Sequence, residues 1–176
     1  MQDLKRLRAA CAERLRGITV PRPFNLAVFA GAVARHRGRP LRICPLPGQA
    51  GELSVSGAWA ATDHDDRIFI EPAASPWHRD LIALHEISHM LCDHDADLHW
   101  ADSLAAALLP DVGTGAVRRM LGRHGYPPGQ EQEAEMMASL ILERAGKDPL
   151  PSAPSSGDGE LIARLSDALR HPVRHG

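Results

Sequence analysis

From Gln2 to Ile18 the apolar residues Leu4, Leu7, Ala10, Cys11 and Leu15 recur at spacings of three and four, with Lys5, Arg6, Arg8 and Arg16 between them. That period predicts an amphipathic helix with one face turned to a core. Pro21 and Pro23 stop it, and Phe24 to Arg37 reads as a second helix ending at Gly38 and Pro40. The pattern then changes. Leu41 to Cys44, Leu53 to Trp59 and Arg67 to Glu71 are short β-type runs, the second with Leu53, Val55 and Trp59 at even spacing. A polar stretch from Thr62 to Asp66 separates the last two and predicts a small antiparallel hairpin. Ser75 and Pro76 supply a cap and a first helical position, so a helix is expected from Trp77 to about Asp93. Further helices are expected at about 98–108, 113–123 and 130–146.

The end of the chain reads differently. Asp148 to Glu160 is DPLPSAPSSGDGE, too poor in apolar residues to bury a core and rich in turn formers. Leu161, Ile162, Leu165 and Leu169 then give a short amphipathic helix. The expected organisation is one domain over residues 1–147, a flexible linker over 148–160, and a C-terminal helix over 161–172 that docks on the domain or on a partner. A length of 176 residues suits one domain with some margin.

Composition narrows the function classes. With 44% apolar and 24% charged residues the chain is ordinary globular material. The net charge is −2, and the basic residues, all Arg except Lys5 and Lys147, are scattered, so direct nucleic-acid binding is not expected. No run approaches the ~18 apolar residues of a membrane span, and the start of the chain lacks a secretory pattern, so a cytoplasmic location is expected. Cys11, Cys44 and Cys92 are odd in number and lack CxxC spacing. They read as buried thiols, with neither a disulfide framework nor a thiolate metal site.

The chemistry concentrates in HEISH, His85 to His89, inside a helix that also carries Leu81, Ile82, Leu84, Met90 and Leu91. Positions four apart on a helix are nearly superposed, about 6 Å apart along the axis, so His85 and His89 can share one metal ion. Glu86, adjacent to the first ligand, can take a proton from a water without ligating. Zinc is the expected ion, since catalytic zinc takes three protein ligands and keeps a position for water. Several residues compete for the third place. An extended HExxHxxGxxH pattern ending in Asp would use Asp95, but Cys92 stands where its turn glycine belongs. His94 and His99 lie just beyond the helix and could reach a metal only if the chain doubles back; a solvated loop is the plainer reading. Glu131 and Glu135 lie four apart on one face of the helix beginning GQEQEAEMMASLIL, while Glu133 points about 160° away from Glu131, toward water.

HEISHML followed at a distance by EQEAEMMA, in a small domain opened by helices and a short hairpin, resembles the ImmA/IrrE family of zinc metallopeptidases over about residues 20–145. The resemblance implies an α+β zincin-like domain, several helices packed on a small antiparallel sheet, with Zn2+ held by His85, His89 and Glu131. In the family's ExEA(N/D) pattern the first Glu is the ligand, and the Asn or Asp four residues later is Glu135 here. It further implies a peptidase that cuts a helix-turn-helix repressor and so releases transcription. Two helpers are read from the residues. Tyr126 or His124 could donate a hydrogen bond to the developing oxyanion, although a packed tyrosine with its hydroxyl bonded is the plainer role for Tyr126. The edge Arg67 to Glu71 could take an extended substrate by strand addition. The alternative is a non-catalytic zinc-containing module that sequesters a partner protein.

Overall fold

Local signals fix the helix ends in the computed structural model, which describes residues 2–47, 56–94, 117–122 and 126–146 together with Leu108. Helices α1 (Gln2–Arg14) and α2 (Leu26–Arg37) open the chain. The Asn25 side chain caps α2 by accepting from the Val28 N–H, and Gly38 closes it at φ 69°, a left-handed conformation that glycine adopts without a Cβ penalty. Strands β1 (Leu41–Pro45), β2 (Gly57–Thr62) and β3 (Asp66–Ile70) precede α3 (Pro76–Cys92). Ser75 Oγ accepts from the His78 N–H at 3.4 Å, and Pro76 occupies the first turn where no N–H is needed. Strand β4 (Val117–Gly122) and helix α4 (Pro128–Arg144) complete the described elements.

The class is α+β, but the sheet is mixed and not purely antiparallel. Its order is β1-β3-β2-β4, with β1 parallel to β3 and β2 antiparallel to both of its neighbours. The hairpin β2–β3 forms as expected, and β3 then inserts between β2 and β1. Arg67 to Glu71 is therefore no free edge: Asp66 to Ile70 are bonded on both sides, and strand addition there is excluded. The helix expected at 113–123 is also overturned. Val117 to Gly122 pairs with Ala58 to Thr62, since the open side of β2 offers a ladder that a weakly periodic, glycine-flanked segment has little helical preference to resist. Leu53 and Val55, the helix expected at 98–108 apart from Leu108, and everything from 147 onward, including the linker and the tail helix, lie outside the described residues. Among the described residues no helix is long and apolar enough to cross a membrane.

The core lies between the sheet and the helices. Trp59, Ile68 and Ile70 of the central strands join Leu81, Ile82 and Ile87 of α3, and α4 packs along α3 with α1 against it. Every residue of β2 is buried, and Gly57, which has no Cβ, lets α3 approach closely. Residues 81–90 are buried throughout, so the HExxH segment is drawn into the interior by the apolar residues around it.

The polar turn between β2 and β3 is not simply solvated. Asp66 is fully buried and accepts from Trp59 Nε1 at 3.2 Å, with Arg37 and Arg39 each at 3.1 Å. Asp65 accepts from Thr62 Oγ1 at 2.7 Å and from Arg67, and pairs with Arg42 at 3.0 Å. Burial alone would raise its pKa, but the Thr62 hydroxyl and the Arg67 and Arg42 guanidiniums hold it below the usual carboxylate value. A depressed folded pKa means the unfolded chain takes up the proton first, so this stabilisation is present above about pH 3.8 and is lost as pH falls. Asp65→Asn is expected to cost about 1–3 kcal/mol at neutral pH, the range for a buried charged hydrogen-bond acceptor, and the gap to wild type should close in acid. Urea unfolding across pH measures it; an offset independent of pH would contradict the assignment.

Candidate metal centre

The one-turn spacing of His85 and His89 brings their Nε2 atoms to 3.0 Å, with ring centroids 4.5 Å apart. Helix α4 delivers Glu131 opposite them. Its Oε2 is 3.5 Å from His85 Nε2 and its Oε1 is 3.7 Å from His89 Nε2. These three residues form a group whose donor atoms could hold a metal ion; Glu135, though buried, belongs to no such group among the described residues. The spacing fits the chemistry, because a tetrahedral site with bonds of about 2.0–2.1 Å has donor–donor edges of about 3.3–3.4 Å. His85 and His89 are buried while Glu131 keeps some exposure, which leaves the open side of the group at the carboxylate.

Protonation favours ligation. Burial, followed by the neighbouring His85 and His89–His94 contacts, pushes the pKa of His89 far below that of a free imidazole, so the ring is neutral. Its other nitrogen, Nδ1, lies 2.8 Å from His94 Nδ1, and His94 Nε2 lies 3.2 Å from Glu133 Oε2. Glu133 in turn pairs with Arg14 at 3.4 Å. A carboxylate only accepts; with one proton on the His94 ring, His94 donates from Nε2, accepts at Nδ1 from His89 Nδ1–H, and leaves a lone pair on His89 Nε2 facing Glu131.

This support was missed in the sequence. His94 read as a solvated loop residue and Glu133 as facing water, yet His94 is buried and Glu133 reaches it. The cause is a chain reversal: Asp93 takes φ 60°, and the N–H groups of Asp93 and His94 return to Met90 and His89 carbonyls. Asp is among the few residues enriched in that conformation, which was the one available signal. Asp95, His99 and His124 lie outside the described residues.

Two further residues complete the centre. The Tyr126 ring stacks on His89 with centroids 3.5 Å apart and planes at 16°. Packing was the plainer expectation for Tyr126, but its buried hydroxyl has no hydrogen-bond partner among the described residues. Burial, then the charges of Glu86 and Glu131, push its pKa well above a free phenol's, so it remains a donor. Glu86 lies against the start of β2, a contact no motif announced. A Cβ on Gly57 would overlap Ile82 Cγ2 and come within 3.0 Å of Glu86 Oε1 and 3.2 Å of Glu86 Cγ. Gly57→Ala is therefore expected to destabilise the protein by about 1–3 kcal/mol, as overpacking does, and to displace Glu86. A denaturant midpoint unchanged from wild type would refute the close approach.

Comparison with protein-family models, with curated proteins and with solved structures finds no match to this chain.

Proposed function

We propose that this protein is a zinc-dependent endopeptidase of the ImmA/IrrE type, acting on a cytosolic helix-turn-helix repressor. The observation that carries the reading is the convergence of His85, His89 and Glu131 with Glu86 buried beside them on the same helix. Two imidazoles and one carboxylate are a donor set suited to zinc with a coordination position left over. When bound, zinc supplies Lewis acidity toward a peptide carbonyl and makes a water more acidic.

The chain's own residues do the rest. Glu86 takes a proton from the attacking water as oxygen adds to the carbonyl carbon, and returns it to the amine nitrogen as the C–N bond breaks. The Tyr126 hydroxyl, a donor with no other described partner, donates to the oxygen on which negative charge grows. His94 and Glu133 keep the His89 proton on Nδ1 throughout. Among the described residues β4 is an edge strand, and its Gly122 pairs with Ala58, next to the glycine that touches Glu86. An extended substrate adding to β4 would lie two strand spacings, about 9–10 Å, from β2.

The test is direct. The reading expects a helix-turn-helix protein to be encoded beside this one; zinc-loaded protein is mixed with it, and the products are read by mass spectrometry. New termini that disappear with a chelator support the reading; an intact partner after full zinc loading counts against it.

A further inference from the structure

The fold gathers two of the three cysteines beside His94, although their spacing in the sequence suggested no metal site. Cys11 comes from α1, Cys92 ends α3, His94 follows the reversal at Asp93, and Glu133 comes from α4. Cys92 Sγ, a His94 ring nitrogen and a Glu133 carboxylate oxygen lie within 4.8 Å of one another. Cys11 Sγ, beside this group, is 3.7 Å from the Glu133 carbonyl oxygen. Both cysteines and His94 are buried.

We propose that Cys92, His94 and Glu133 form a second metal site for a borderline or soft divalent cation, used as an alternative to the His85–His89–Glu131 site. Sulfur, imidazole and carboxylate are the donor types that such ions take in proteins. The charges also balance. One thiolate and one carboxylate bring two negative charges, which a dication neutralises. A buried set of this kind with no counter-charge would be costly.

The alternation follows from one ring proton. A neutral imidazole carries a single N–H. If His94 binds a cation through Nε2, its proton sits on Nδ1 and is donated to His89 Nδ1, 2.8 Å away. The His89 proton must then occupy Nε2, the atom that faces Glu131. One proton arrangement serves the first site and the opposite one serves the second. The alternation, though not the second site itself, rests on the first-site reading.

Cobalt(II) separates the two, because only the second site has sulfur and only thiolate ligation gives an intense ultraviolet charge-transfer band. Full-length, metal-free, reduced protein is titrated with Co2+ as wild type, Glu131→Gln, Cys92→Ser and Cys92→Ala, with thermal unfolding reporting that each is folded. The expected results are one bound ion with the full band in Glu131→Gln, one bound ion without the band in both Cys92 variants, and one tightly bound ion in wild type. Absence of the band in Glu131→Gln, its persistence in the Cys92 variants, or two equally tight ions in wild type would overturn the proposal. A band in Glu131→Gln with no binding by either Cys92 variant would support the second site while overturning the first-site reading and the alternation with it.

Discussion

Glu86→Gln is expected to lower peptide cleavage by about 10²–10⁴-fold, the usual contribution of a positioned general base, while leaving metal content unchanged. The substitution keeps the size and shape of the side chain, so the packing of residue 86 against Gly57 survives. What is lost is the ability to accept a proton. The same variant separates an enzyme from a module that merely sequesters its partner. An effect on the partner that persists in Glu86→Gln at full zinc loading would favour sequestration; loss of cleavage with partner binding retained would favour hydrolysis. Rates measured at matched zinc content make the comparison clean.

Glu131→Gln should weaken zinc binding at the first site by at least about 100-fold, since removal of a charged ligand exceeds the 10–100-fold cost of losing a group that only orients one. The measurement belongs in a Cys92→Ser background, where the thiolate site cannot mask the loss, with a chromophoric chelator as competitor. His85→Ala should behave alike, because the His85 and His89 Nε2 atoms and the Glu131 carboxylate face one point. Full zinc affinity in the Glu131 variant would move the third ligand elsewhere, with Glu135 and Asp95 as the alternatives raised by the sequence.

What was legible in the sequence was what one element carries by itself. His85, Glu86 and His89 sit on one helix whose period is local, and Ser75 and Pro76 mark its start. Glu131 could be proposed because a helix puts residues four apart on one face, and the ExEA segment then resembled a family pattern. Residues that meet only through tertiary packing were hidden. His94 required the reversal at Asp93, and Glu133 required knowing how α4 lies along α3, so a two-residue step from Glu131 reached a second cluster instead of water. Cys11 and Cys92 are 81 positions apart and met only because α1 packs near the end of α3. The sheet was legible in part: β1, β3 and the β2–β3 hairpin were expected, but the bounds of β2 and the whole of β4 were not. β2 is built largely of alanine, which carries no strand signal, and β4 was read as helix because its partner lies far back in the chain.

The most direct test of the central claim is X-ray absorption at the zinc edge of zinc-loaded Cys92→Ser protein, which looks only at the donors around the ion. The His85–His89–Glu131 account predicts one zinc per chain surrounded by nitrogen and oxygen at about 2.0–2.2 Å, with the outer-shell scattering of two imidazoles and no sulfur. Sulfur at about 2.3 Å, fewer than two imidazoles, or protein that holds no zinc would contradict it.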